Sequence, residues 1–299
     1  MAAGLMRIAA SSYSNTAPLI WSFLYGSKHG CAELILDNAP ARSVEMLAGD
    51  GVDAALTPVI AYEALTGVKL VPDVCVGTRR SVRSVCLVTR GGPLESVRSV
   101  ALDVSSRTSV VLTKIIFREF LGFEPKWCEA KPDVGAMLAA SDCALLIGDP
   151  ALRVTAPAAD AVDTPYQVFD LAELWYRFTG LGFVFAMWMT RLPASPVNFA
   201  AVRDEGLQHI DEIASNYAGD INLSRDELRQ YLTSNISYEI DRSMQAGLEL
   251  YFELAFKNDL IERNRPLEFT EELSKYSRLK QQQPPSHDYE DQQADVSCS

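Results

Sequence analysis

Short strand-like runs alternate along this chain with stretches whose apolar residues recur at helical spacing. The first pairs are Arg7 to Ala10 with Pro18 to Tyr25, Glu33 to Leu36 with Ala41 to Leu47, and Val52 to Leu56 with Val59 to Leu65. Strand followed by helix, repeated, is the pattern of βαβ units and predicts a mostly parallel sheet. A second series starts at Val85 to Val88 and uses the same grammar: Ser99 to Leu102 precedes a helical stretch from Thr108 to Leu121, and Cys143 to Ile147 runs into Asp149 and Pro150. The segment Phe183-Val184-Phe185-Ala186-Met187-Trp188 has no polar alternation, so it reads as a strand buried on both faces, and the pattern beyond it is helical.

Start signals mark the later helices. Ser195 before Pro196 reads as an N-cap with proline at the first helical position, and Ser224 with Glu227 reads as a capping box. Ile240, Met244, Leu248, Tyr251 or Phe252, and Ala255 form one apolar face, a packing stripe rather than a cofactor site. After Lys280 the run Gln281-Gln282-Gln283-Pro284-Pro285 gives way to acidic residues, a composition that predicts a disordered tail over 280–299. Two series of strand and helix predict two α/β lobes, a discontinuous one over 1–82 and 184–279 and a second over 83–183. They would be joined by crossings near Arg79 to Arg83 and Thr179 to Phe183, with a ligand cleft between them.

Composition narrows the partners. A formal charge of -12 disfavours nucleic acid and anionic membrane, so an anionic ligand must be captured by local donors. The six cysteines contain no C-x-x-C pair and mostly lie in apolar runs, which fits free thiols in a reducing compartment. His29, His209 and His287 stand far apart with no metal-ligand spacing, so no metal is expected. No run is long and apolar enough to cross a bilayer and no signal-peptide core is visible, which points to the cytoplasm. Nothing in the pattern speaks to oligomeric state.

Two hydroxyl-rich turns carry the candidate chemistry. Ser12-Tyr13-Ser14-Asn15-Thr16-Ala17-Pro18-Leu19 and Ser105-Ser106-Arg107-Thr108-Ser109 each follow a strand and open a helix, where backbone N–H groups and hydroxyls can hold an anion. Facing one another, they would clamp a small molecule with two carboxylates. In the second turn Ser106, Thr108 and Ser109 are the carboxylate donors, while Arg107 either makes a bidentate contact or lies in solvent. Thr57 and Ser84 are further cleft donors, and Tyr13 either closes the pocket or packs in the core. Asp149 could cap the next helix as easily as touch ligand. Trp175, Phe183, Phe185 and Trp188 read as core or hinge packing.

The first turn resembles the Ser-Tyr-Leu-Asn-Thr-x-Pro-Leu signature of the MqnA family, the chorismate dehydratases that open the futalosine route to menaquinone, with Ser14 in place of the usual leucine. The resemblance continues through Val52 to Pro58, Val82 to Val85, Val100 to Ser109, Leu145 to Asp149, Trp175 with Thr179 to Leu181, Phe183 to Ala186, and Tyr231 to Thr233 with Asn235 and Ile236. It implies a two-lobe fold like the type II periplasmic binding proteins, and loss of water from chorismate to give 3-enolpyruvylbenzoate without metal or organic cofactor. Asn15 takes the central catalytic role, flanked by Ser12, Tyr13 and Thr16; its amide would donate to, or accept from, the leaving hydroxyl or the enolpyruvyl carboxylate. The ring proton would go either to the substrate's own enolpyruvyl carboxylate or to Asp149. The competing expectations are a dicarboxylate-binding module without chemistry and the related cyclase of the later pathway. The pair Asn15-Thr16 disfavours that cyclase, which carries an acidic residue where Thr16 stands.

Overall fold

The computed structural model describes residues 5–37, 40–155 and 166–271; the tail expected over 280–299 lies outside them. The first half lays down β1 (Met6–Ser11), α1 (Ala17–Leu24), β2 (Ala32–Asp37), α2 (Pro40–Ala48), β3 (Ala54–Pro58), α3 (Ala61–Ala64) and β4 (Lys69–Thr78). There follow β5 (Val85–Thr89), β6 (Ser99–Asp103), α4 (Thr108–Ile115), β7 (Lys126–Ala130), α5 (Val134–Ala140), β8 (Cys143–Ile147), α6 (Gly148–Thr155), β9 (Gln167–Asp170) and α7 (Leu171–Thr179). The chain ends, within the described residues, with β10 (Phe183–Thr190), α8 (Phe199–Gln208), α9 (Ile210–Ile221), α10 (Arg225–Gln230) and α11 (Arg242–Lys257).

These strands form two sheets, ordered β2-β1-β3-β10-β4 and β7-β6-β8-β5-β9. The two orders are the same arrangement used twice, which is the repeated grammar of the sequence, and the molecule is a two-lobe α/β fold. The sheets are mixed rather than mostly parallel. β10 runs antiparallel to β3 and β4, and β5 runs antiparallel to β8 and β9. The reason is the crossing between lobes: the chain leaves the first sheet at Thr78 and re-enters at Phe183, directly opposite Thr78, so the returning strand must run the other way.

Other expectations shift for local reasons. Val59 to Leu65 yields only the four-residue α3. β4 carries no strand signal in the sequence because Pro72 and Asp73, the latter at φ 62°, break any alternation, and its pairing with β10 carries register shifts. Ser195 does not cap a helix. Its hydroxyl donates to Val197 O, and α8 starts later, where Asn198 accepts from Ala201 N. The capping box of Ser224 and Glu227 is present as read.

β10 anchors the core. Trp188 stacks on Phe199 at 4.3 Å, and Phe183 meets Trp175 and Tyr251 edge-on at 5.5 and 5.1 Å. Each such side chain, fully buried, contributes about 1.5–3 kcal/mol. α8 clamps α1 so closely that a Cβ on Gly206 would stand 1.9 Å from Pro18 O. The turn ahead of α1 is thereby held against a fixed base.

Candidate active site

The cavity between the lobes measures about 80 Å³ and opens to solvent. Leu56, Val76, Val82, Val85, Ile147 and Phe185 form an apolar wall, into which the two hydroxyl-rich turns and the outgoing crossing bring polar atoms.

In the first turn a short 3₁₀ helix, Ser14–Thr16, precedes α1. Thr16 Oγ donates within the turn, to Ser11 O at 2.6 Å and Tyr13 O at 2.7 Å, so this hydroxyl shapes the loop. Ser12 N–H donates to Asp37 O, and Ser12 stands outside the lining. Ser14 Oγ donates to Asp149 Oδ1 at 2.7 Å, with Ser14 N–H at 3.4 Å from the same oxygen. A carboxylate from the other lobe therefore already occupies the mouth of the first turn. Asp149 neither lines the cleft nor caps a helix by itself; it ties the lobes. Burial pushes its carboxyl above the usual carboxylate range, and the two Ser14 bonds pull the other way.

Tyr13 closes the cleft from the same turn. Its ring lies against Gly148, where an added Cβ would stand 3.1 Å from the ring, and its hydroxyl bonds Ser105 of the opposite lobe. Burial raises the phenol further above its ordinary range, so at neutral pH it is a donor and not a base. Ser105 in turn gives its N–H and hydroxyl to Asp103 Oδ1 at 2.9 and 2.6 Å. Asp103 lies beneath the turn, its carboxyl also raised by burial.

The second turn keeps its mouth open. α4 begins at Thr108 with Arg107 as N-cap, no side chain caps it, and no acidic residue stands in its first turn. Arg107, Thr108 and Ser109 line the cleft with Ser105 and Ser106. Thr108 Oγ donates to Phe185 O at 3.2 Å, and Tyr251 donates to Thr108 O at 3.0 Å, so the helix start is fixed on β10 and α11. The first-turn N–H groups face the cleft, and Arg107, at its border, is exposed.

Ser84 comes from the outgoing crossing, after Arg83 at φ 59°. Asp170 holds that crossing: Oδ2 accepts from Ser81 Oγ, Val82 N and Arg83 N at 2.6–2.8 Å, while Oδ1 caps α7. Asn15 Oδ1, Thr57 Oγ and Ser84 Oγ line the cleft, are buried, and have no hydrogen-bond partner among the described residues. Buried polar atoms left unmatched are costly, about 1–3 kcal/mol each.

Thus Tyr13, Asn15, Thr16, Thr57, Ser84, Ser106, Arg107, Thr108 and Ser109 come together around one space, and Ser12 and Asp149 stand outside it. Ser11, Ser105, Gly148 and Phe185 also line it. Phe185 thus faces the cleft rather than only packing, a difference that an all-apolar strand gives no sign of. Among the described residues the lining includes no Asp, Glu, His, Lys or Cys, and no group of three such metal-binding side chains occurs. No helix of the described residues is long and apolar enough to cross a membrane.

A family model described as "Menaquinone biosynthesis" matches residues 6–257. The chain is 31% identical over 258 residues to a chorismate dehydratase of Thermus thermophilus, covering 81% of this chain and 92% of that protein. Among solved structures it is similar to a protein of Archaeoglobus fulgidus, with a TM-score of 0.64 at 16% identity over 86% of this chain and 98% of that one. The periplasmic aliphatic sulphonate binding protein of Escherichia coli gives 0.58 at 15% identity, over 98% and 96%. A Candida albicans gene product with the generic periplasmic binding protein fold gives 0.52 at 11%, over 91% and 100%. At such identities the likeness is one of fold, the two-lobe periplasmic-binding-protein type.

Proposed function

Because the chain belongs to the menaquinone-biosynthesis family, we propose that its cleft dehydrates chorismate, acting as a carbon–oxygen lyase that yields 3-enolpyruvylbenzoate and water. One observation carries the mechanism: the lining holds an open helix mouth with Arg107 and three unmatched polar atoms, yet none of the usual proton acceptors. Such a site binds and orients an anion; it does not itself supply a strong base.

The first-turn N–H groups of α4 and Arg107 seat one carboxylate of the substrate, and the apolar wall takes the ring. Asn15 and Ser84 address the polar groups at the reacting end. A ring C–H bond then gives its electrons to the new ring double bond as the adjacent C–O bond breaks. The departing hydroxide leaves as water with a proton that balances the one taken from the ring, so the net loss is one water, and aromatisation drives the step. The base is the substrate's own enolpyruvyl carboxylate, held near the ring proton. The engagement of Asp149 with Ser14, away from the lining, supports this choice over a protein base. An apolar wall keeps that carboxylate poorly solvated and so more basic.

Incubating the purified chain with chorismate tests the reading. A growing ultraviolet signature of 3-enolpyruvylbenzoate, confirmed by mass, is the expected result. A thermal shift with chorismate left intact would mean a binding module, and would overturn the proposal.

A further inference from the structure

Behind Asn15 and Ser84 stands a group that no step above uses. Tyr231 opens a π-helical turn, Tyr231–Asn235, at the end of α10. It is fully buried, and its hydroxyl has no hydrogen-bond partner among the described residues. That hydroxyl nevertheless faces two side chains of the cleft, Ser84 and Asn15. Three buried polar groups from three parts of the chain, the first turn, the outgoing crossing and the turn after α10, thus converge without being satisfied. A phenylalanine would fill the same core space without the desolvation cost of a hydroxyl.

Resting on the reading of the cleft as a chorismate dehydratase, we propose that Tyr231 is a positioning residue: its O–H donates to Asn15 Oδ1 and so turns the Asn15 amide NH₂ toward the substrate. An Asn side chain can present either its oxygen or its nitrogen to a ligand, and the two are opposite in hydrogen-bond sense. The Oδ1 atom is the buried one here. A phenol has one proton to give, and Oδ1 can only accept, so the pairing is unambiguous once Ser84 donates to the phenol oxygen. Asn15 then meets the substrate as a donor. It donates to the departing hydroxyl or to the enolpyruvyl carboxylate instead of accepting. Burial pushes the phenol well above its ordinary range, so it keeps its proton at neutral pH.

The test is a double-mutant cycle with Tyr231→Phe and Asn15→Ala, read as kcat and KM for chorismate, with melting temperatures measured beside them. Tyr231→Phe should lower kcat about 10- to 100-fold, a typical effect of losing orientation at a reacting group, with KM changed less than about threefold and the melting temperature unchanged or raised. In the Asn15→Ala background the same substitution should cost nothing further, because the group it orients is gone. Losses that multiply in the double variant would mean a structural role and overturn the assignment, as would a Tyr231→Phe enzyme with normal kcat. Wild-type protein that leaves chorismate intact would instead remove the functional reading, and this assignment with it.

Discussion

Removing the Ser14 hydroxyl, as Ser14→Ala, should cost stability in a way that depends on pH. Ser14 is fully buried and its Oγ lies 2.7 Å from Asp149 Oδ1. A hydrogen bond to a charged group contributes about 1.5–3 kcal/mol, so a loss of about 2 kcal/mol is expected at neutral pH. Scaled to a chain of 299 residues, that is a drop in melting temperature of roughly 3 °C. The sign with pH follows from Asp149, whose carboxyl burial holds above its unfolded value. A group raised in this way favours the fold fully below its unfolded pKa, and that contribution is lost as pH rises through the folded pKa. The Ser14 bonds oppose the loss by stabilising the ionised form. Their removal therefore matters most where Asp149 is charged, and the deficit should grow from acid toward neutral pH. Asp149→Asn keeps an acceptor for Ser14 while removing the buried charge. It should raise the neutral-pH melting temperature and reduce the Ser14→Ala deficit to about 1 kcal/mol, independent of pH. Thermal melts of the four proteins between the acid limit of the fold and pH near 8 measure this. A Ser14→Ala protein within about 1 °C of wild type at neutral pH, or a deficit that grows in acid, would refute the reasoning.

Two further outcomes follow from the same geometry. Gly148→Ala places a side chain at φ 63° and 3.1 Å from the Tyr13 ring. The conformation alone costs about 1–2 kcal/mol, and the displaced ring should raise KM several-fold; an unchanged KM in steady-state kinetics would show that Tyr13 does not close over substrate. Arg107→Ala should raise KM by about 10- to 100-fold with kcat within a few-fold, and Arg107→Lys should recover only part of it, since an ammonium lacks the bidentate fork. Equal kinetics for wild type and Arg107→Ala would put this side chain in solvent.

How much of this was legible in the sequence depended on whether the signal was local. The turn Ser105 to Ser109 showed itself because five consecutive polar residues precede an apolar helix, and the structure sets it at an open helix mouth. The strand pattern showed two α/β series for the same reason, since each strand and helix carries its own periodicity. Strand direction is not local. β10 is antiparallel because of where the chain crosses back, and nothing within Phe183 to Thr190 records that. The same limit applies to the site. Ser14 and Asp149 are 135 positions apart and read separately as a loop serine and a helix-start aspartate, yet together they close the first turn's mouth. Tyr231 looks like one more apolar contact in a helix until the fold sets its hydroxyl behind Asn15 and Ser84.

The account stands most directly on the turnover of Asn15 variants at saturating chorismate. With no Asp, Glu, His, Lys or Cys among the described residues of the lining, orientation by this amide must supply much of the rate, so Asn15→Ala and Asn15→Asp should each lose at least about 100-fold in kcat while both still bind chorismate. The aspartate should fare no better than the alanine, because it has the shape of the amide without its donor. Near-normal kcat in both variants would contradict the account.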